Sequence, residues 1–413
     1  MLTIQFGQCG NQLGHTLFSE ISTDMECVNT GVSYKTNHQY IEDTFNRWFS
    51  GLSKSNDRLA RAILIDTEQK VINKIYNKKS NLWTYSTKNV ICQAGGGCAN
   101  NWAFGYLIKG GTGSGIGSYI TKLLHEEYNK KPILNTTILP FSFGEVCTQN
   151  YNTLLTLAKL YNESDINILF ENEQIYNICT SLLKKSSINL QDMNKVISEK
   201  LLATFQPVNY EKHNINSLLS QIACHPSYKI AIIKSTPHIP ATSTSYEPMY
   251  NWNSYIHHLK QTLRIPNLNS QLTNVELKMP SNLLSNTIHH TYATSVSNVL
   301  ITRGTMLEQD LIMTNILKEK HLYANWNTID WFTHLHQNRK FLNHDKFLAL
   351  ITNNSQTSYS LDIFLNKTWK SYIHSAFLHQ YKQFGLEEDD FLQAFSVLEN
   401  VVKEYKELVS HTD

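Results

Sequence analysis

Within the first 180 residues, short apolar runs stop one after another at loops rich in Gly, Asn or Asp, and segments of helical periodicity separate them. Leu2-Thr3-Ile4-Gln5-Phe6 reads as a strand, Gly7-Gln8-Cys9-Gly10-Asn11-Gln12 as a tight turn, and Leu13 onward as a helix carrying Leu13, Leu17 and Phe18 on one side. Arg61–Ile65 is a strand ending at Asp66, and Asn89–Cys92 one that runs into 95-GGGCANN-101. A helix to about Tyr128 follows 110-GGTGSG-115, and 133-ILNTTILPF-141 is a strand before a helix over 149–160. Asp165–Phe170 is a strand before the helix that starts at 171-ENEQIYNIC-179. This alternation predicts an α/β fold with a doubly wound, mostly parallel sheet and a ligand across the carboxyl ends of its strands.

A further helix over about 190–206 leads out of this first domain, 1–206. Residues 207–368 read as a second, smaller α/β domain with strands at Lys229–Ile233, 297-SNVLITRG-304 and 346-KFLALIT-352 and a long Ser/Thr/Asn/His/Pro region at 236–296. Residues 369–413 read as C-terminal helices broken at Gly385. The 413 residues fit two domains and an appendage, with 41% apolar and only 17% charged residues, too little charge for a disordered chain. Lys and Arg (36) nearly balance Asp and Glu (34), so no global field recruits nucleic acid or an anionic membrane. No apolar stretch approaches the roughly 20 residues a membrane-spanning helix needs, so neither export nor membrane insertion is expected. Seven cysteines without a C-x-x-C pair read as reduced, mostly buried thiols of a cytosolic or nuclear protein. His225, His238, His289 and His290, in polar segments, read as surface residues.

Gly110-Gly111-Thr112-Gly113-Ser114-Gly115 is the strongest local signal: glycines permit a close turn, while Thr112, Ser114 and the free amides of the following helix start can donate to phosphate oxygens. It lacks the lysine of a P-loop, so a phosphate site and a merely flexible turn both remain open readings. Gln8, Cys9 and Gln12 fall where the crevice rule places ligand contacts; the alternative is a small buried filler with amides capping backbone groups. Asp66 and Glu68 can arrange waters around a hard cation, or simply form a solvent-facing turn.

In combination these segments resemble the tubulin family: Gly7–Gln12, Asn100-Asn101-Trp102-Ala103, Gly110–Gly115 and Asn172-Glu173-x-x-Tyr176-x-x-Cys179 occur in the family's order, and the likeness continues through 297-SNVLITRG-304 to 377-FLHQYKQFGLEEDDF-391. Within the family it is most similar to the delta branch, through runs such as Ala62–Asp66 with Lys70–Asn73, Gly144-Glu145-Val146 with Gln149–Asn152, and Phe205-Gln206-Pro207. The resemblance implies a tubulin-like GTPase domain over 1–206 and binding of GTP or GDP by several loops. Gln8, Cys9 and Gln12 would touch phosphate and nucleoside, and Asp66 and Glu68 would lie beside the terminal phosphate, with Glu68 reaching Mg2+ through water. Ala99, Asn100 and Asn101 match the third loop and Gly110, Gly111, Thr112, Gly113, Ser114 and Gly115 the phosphate cradle. Glu145 and Gln149 would lie near the ribose, and Asn172 and Asn194 would read the guanine edge, one amide each accepting and donating. Leu190 stands where relatives stack a tyrosine on the base. No catalytic residue is assigned. The stretch 214-NINSLLSQ-221, which would face a neighbour's nucleotide, offers Ser217 and Ser220 where acids are expected, and a serine cannot replace a carboxylate as base, so efficient hydrolysis is not expected.

The implied setting is microtubule-based organisation at centrioles, basal bodies and cilia, in the cytoplasm and cytoskeleton and, less specifically, the nucleus. Other tubulins and centriolar or basal-body proteins are the implied partners, with no nucleic acid. A prokaryotic-type division filament GTPase and an unrelated nucleotide-dependent enzyme are the alternatives. One departure stands out: the family has a helix and a parallel strand between the third and fourth loops, a crossover of a few dozen residues, and here Asn101 and Gly110 are close neighbours in sequence. A skipped coding segment and a compact variant are the two readings. Either way, the first strand must pair with the strand at 133–139 or leave an edge inside the sheet.

Overall fold

The computed structural model describes residues 1–27, 32–78, 80, 82–92, 101–108, 112–142, 146–208, 215–239, 251–265, 292–326, 331–342 and 344–410. β1 (Thr3–Phe6) runs directly into α1 (Gly7–Glu26); α2 (Tyr34–Trp48), β2 (Phe49–Leu52) and β3 (Arg58–Ala60) follow, then β4 (Ala62–Asp66), α3 (Gln69–Tyr76), β5 (Trp83–Thr84) and β6 (Val90–Cys92). β1, β4 and β6 form a parallel sheet in that spatial order, with Phe6 opposite Ile65 and Asp66 opposite Cys92. β2, β3 and β5 make a small separate sheet. These short, polar strands and α2 carry no strong apolar run and are additions to the sequence reading.

Next come α4 (Trp102–Ile108), a wide π-type turn over Thr112–Ile116, α5 (Gly117–Glu127), β7 (Leu134–Leu139), α6 (Gln149–Glu163), β8 (Ile166–Glu171), α7 (Asn172–Asn177) and α8 (Leu190–Phe205). The second half has α9 (Ile215–Ile222), β9 (Ile230–Thr236), α10 (Trp252–Gln261), β10 (Ser295–Arg303), α11 (Glu308–Met313), β11 (Phe332–Gln337), β12 (Phe347–Asn354), α12 (Gln356–Ile373), α13 (His379–Lys382) and α14 (Glu388–Ser410). A six-stranded sheet has the order β11-β10-β12-β9-β8-β7. β7, β8 and β9 are parallel, whereas β12 is antiparallel to both its neighbours. One sheet therefore runs through position 207, and α12 runs through position 369. The expected break falls at Gly385, φ +89°, between α13 and α14.

The expected single doubly wound sheet is split. Among the described residues β1 has one strand neighbour, β4, and β7 has one, β8. Of the two outcomes open to a chain without the crossover strand, the interior edge is realised and a β1–β7 ladder is not. Residues 102–108 keep a two-turn helix but have no room for a strand. The gap at the β1 edge is filled by the Thr112–Ile116 turn, which packs on β1, β4 and α1, and by α4 on its far side.

The two sheets are joined instead by helices. α1 lies along α8, and Leu17, Phe18 and Ile21 share one core with Leu64 of β4, Ile168 of β8, Val196, Ile197 and Leu201 of α8, and Val299 of β10. Trp102 and Ala103 instead join α6, α12 and α14 in a second cluster. The C-terminal end of α8 is closed by buried cations. Arg303 donates from Nε to Ala203 O (3.0 Å), from Nη2 to Gln206 O (2.9 Å) and from Nη1 to Pro207 O (3.1 Å), placing a guanidinium on the negative end of the helix dipole. Beside it Arg339 and Asp24, both almost fully buried, pair at 3.1 Å, and Asp24 also accepts from Tyr40 Oη (2.7 Å), Gln206 Nε2 (3.2 Å) and Leu342 N (3.2 Å).

Candidate nucleotide site

Gly7 has φ +67°, a left-handed conformation open to glycine at no steric cost, so the chain turns from β1 into α1 within one residue. The expected turn over Gly7–Gln12 is thus corrected: these residues are the first turns of α1, with Gln8 and Cys9 exposed and Gln12 half-buried. α1 begins with no side-chain cap and no acid in its first turn. Its leading amides have no partner within the helix, and with the positive end of the dipole they suit an anion. Buried Asn11 donates from Nδ2 to Gly7 O (2.9 Å) and Ile65 O (3.2 Å), pinning the start of α1 to the end of β4. There Asp66 is buried, with Oδ1 accepting from Glu68 N (3.2 Å), while Glu68 is exposed at the start of α3.

The glycine-rich turn reaches the same place. A Cβ added to exposed Gly113 would lie 3.8 Å from Phe6 O, the carbonyl at the end of β1. Ser114 is half-buried, and its carbonyl accepts from Ser118 Oγ (2.7 Å) in α5, which like α1 has no side-chain cap. Gly115 is in addition a packing position. A Cβ there would stand 2.6 Å from both Gly105 Cα and Trp102 O, so glycine is required by the approach of the α4 backbone.

Asn101 is buried against the protein: Nδ2 donates to Gln380 O (2.9 Å) and Oδ1 accepts from Phe104 N (3.2 Å). Gln149, the first residue of α6, donates from Nε2 to Phe141 O (2.9 Å), closing the loop from β7. Past the end of β8, Asn172 opens α7 and Asn194 lies nearly buried in α8, which packs on α7. Neither amide has a partner among the described residues. Leu190 is exposed at the first position of α8. The helix start behind it is fixed by a capping box, Asp192 N to Asn189 Oδ1 (3.0 Å) and Asn189 N to Asp192 Oδ2 (3.1 Å). An ion pair with Lys185 holds the Asp192 carboxyl below its usual range. Deeper in α8, burial pushes Glu199 up to about 7 and Lys200 down to about 7.

Ala99, Asn100, Gly110, Gly111 and Glu145 lie outside the described residues, as does the side chain of Thr112. The structure brings together the start of α1, the end of β4 with Asp66, and the Gly113–Gly115 turn; Asn172, Leu190 and Asn194 gather on the α7–α8 side. Sequence reasoning missed Asn11, and Asn152, whose Oδ1 accepts from Trp102 N (2.9 Å) at the start of α4. Their signals, an amide at i+4 from Gly7 and another at i+3 from Gln149, are weak without the fold. The thiols are corrected as well: of those described, Cys179 is buried, Cys27 and Cys92 are half-buried, and Cys9, Cys147 and Cys224 are exposed. His225 is half-buried with its ring tilted against Trp326 at 5.4 Å, and His238 is half-buried against Ser235, neither a free surface residue; His289 and His290 lie outside the described residues. No described helix is long and apolar enough to cross a membrane.

Comparison with known proteins bears on this arrangement directly. The family model described as the Tubulin/FtsZ family, GTPase domain, matches residues 1–109 and, as a separate piece, 107–180. The tubulin delta chain of Canis lupus familiaris is 31% identical over 457 aligned positions, covering 98% of this chain and 99% of the relative. The chain belongs to the tubulin family. The delta chain of Mus musculus is 30% identical, with 99% of each chain covered, and the tubulin gamma chain of Saccharomyces cerevisiae is more distant at 23%, covering 98% of this chain and 92% of the relative. The delta-chain alignments exceed the 413 residues of this tubulin, so its side of them is gapped. The family model breaks at 107–109, which takes in the last two residues of α4, between the two sheets in chain order.

Proposed function

We propose that this tubulin binds GTP or GDP across the carboxyl ends of β1, β4 and β8, as a delta-type structural or regulatory component of centrioles, basal bodies and cilia. The observation that carries the reading is the Gly113–Ser114 turn beside the end of β1 and the uncapped start of α1. Backbone amides of Gln8, Cys9 and Gly10 and of 112–115 would surround phosphate oxygens, with Gln12 near the nucleoside. Gln149 spends its amide nitrogen on Phe141 and would turn its carbonyl oxygen to a ribose hydroxyl. Asn172 and Asn194 would share the guanine edge, and Leu190 would cover the base face, forgoing a ring–ring contribution of roughly 0.5–1.5 kcal/mol.

Asp66 and Glu68 offer the hard oxygen donors that Mg2+ takes, and among the described residues no group of three or more His, Cys, Asp or Glu side chains gathers. The donor set fits an ion that takes most of its ligands from water and phosphate, and the ion would supply charge neutralisation at the terminal phosphate. Asn101 acts by holding its loop, since both ends of its amide are bonded to protein. The outward face of α9 shows Asn216 and Ser220, with Ser220 Oγ donating to Ser217 O (2.9 Å), and has no carboxylate to give a neighbour's nucleotide. This favours action with other tubulins and centriolar proteins over self-assembly into GTP-hydrolysing polymers.

The direct test is to release and identify the nucleotide that copurifies with the chain, then titrate GTP and ATP by calorimetry. GTP bound in preference to ATP is expected; equal affinity, or no binding, overturns the reading. Imaging the tagged chain tests the cellular setting, the base of cilia being the expected position.

A further inference from the structure

The glycine-rich turn has lost the strand that would lead into it, yet it is held, and the contacts that hold it trace to the C-terminal helices. Fully buried Tyr381 of α13 donates from Oη to Asn152 Oδ1 (2.7 Å) and lies 3.1 Å from Thr148 O. The same Asn152 oxygen accepts the backbone amide of Trp102 (2.9 Å), the first residue of α4. Next to it the Asn101 amide reaches Gln380 O (2.9 Å), and Phe104 meets Phe384 edge-on at 5.1 Å. α4 is thereby fastened at its N-terminal end and along one face. Its opposite side is the backbone at Trp102 and Gly105 that abuts Gly115.

We propose that Tyr381 and Asn152 are positioning residues for the phosphate-side loops: the C-terminal helices do, through α4, the work that a central strand would do in the sheet. The inference rests on the nucleotide reading given above and adds the source of the site's order. Nucleotide affinity then depends on how α13 seats, and anything that moves α13 changes that affinity, with the reciprocal effect required by linkage. Tyr405 provides the contrast. It is an equally buried C-terminal tyrosine, but its hydroxyl bonds Ile230 (3.0 and 3.1 Å) and Asn353 (2.8 Å), away from α4.

The experiment compares the full chain with Tyr381→Phe, Asn152→Ala and Tyr405→Phe. GTP affinity in Mg2+ buffer is measured by calorimetry, stability by urea midpoint, and loop order by backbone hydrogen exchange over 102–108 and 112–118. Tyr381→Phe and Asn152→Ala are expected to weaken GTP binding on the order of fivefold, the low end of usual coupling, and to speed exchange in those two segments. Tyr405→Phe is expected to lower the urea midpoint with GTP affinity unchanged. Equal loss of affinity in Tyr381→Phe and Tyr405→Phe, or unchanged exchange over 102–118 in Tyr381→Phe, overturns the proposal. Absence of GTP binding in the unmodified chain overturns the nucleotide reading alone, and the exchange data still decide whether Tyr381 and Asn152 order α4 and the turn.

Discussion

The two sides of the candidate site are held in different ways. On the α7–α8 side, α8 is buried along nearly its whole length, and its far end is closed by Arg303 and by the Asp24–Arg339 pair. On the glycine side, the Thr112–Ile116 turn has no ladder under it and leans on α4 through two glycines in contact. One side is anchored by charge-assisted hydrogen bonds; the other by close backbone packing on α4, which is itself tied by neutral hydrogen bonds to α6 and α13. The difference teaches that the halves of one site can be broken independently.

The largest effect belongs to the α8 side. Arg339→Met leaves Asp24 buried without its cation and should cost about 3–5 kcal/mol, read as a fall in the urea midpoint. Gly115→Ala attacks the other side by forcing a methyl group against Trp102 O and Gly105 Cα. It should cost about 1–3 kcal/mol by overpacking and weaken GTP binding together with stability, whereas Arg339→Met acts first on stability. Asn172→Ala and Asn194→Ala sharpen the comparison from within the α7–α8 side: each should weaken GTP binding by roughly 1–3 kcal/mol with little change in urea midpoint. Equal calorimetric affinities in wild type and both variants would remove these amides from the base pocket.

The smallest effect is a pH slope. Burial and neighbouring Glu20 raise the Glu199 carboxyl to about 7, with Lys195, Lys200 and Lys185 pulling the other way. Between the ordinary glutamate range and 7 the folded state holds the extra proton, so stability falls as pH rises through that window. Lys200, driven down to about 7 by burial, acts in the opposite sense above it: the unfolded chain then holds the extra proton and stability recovers toward alkaline pH. A shallow minimum of urea midpoint near neutrality is expected, and Glu199→Gln should flatten its acid side and, by removing a carboxylate that favours the Lys200 ammonium, move its alkaline side to lower pH.

Most of the strands were legible because apolar runs such as Ala62–Ile65, Ile166–Phe170 and Phe347–Ile351 can be satisfied only inside a sheet. The site was legible as a set of loops but not as a set of contacts. Gly7 concentrates the whole reversal into one positive φ, so a stretch that reads as a turn is a helix start. Asn101 reads as a ligand residue from its neighbours, yet its partner, Gln380, is 279 positions away. Arg303 sits in the run 297-SNVLITRG-304 and Arg339 in no motif, but neither position reveals its acceptors, which lie far earlier in the chain. Local pattern records which element a residue joins; it does not record which distant element will need its donors.

The split sheet also sets an order of synthesis. β1, β4 and β6 are complete in the first 92 residues, but the inner face of α1 is buried by α8, which ends at Phe205. As the chain leaves the ribosome at about 5–20 residues per second, Leu17, Phe18 and Ile21 stay without their final partner until more than a hundred further residues have been made. The amino-terminal sheet is therefore an early structure with a late core, and a chaperone that shields the apolar face of α1 during that interval would act at the step on which the rest of the fold waits.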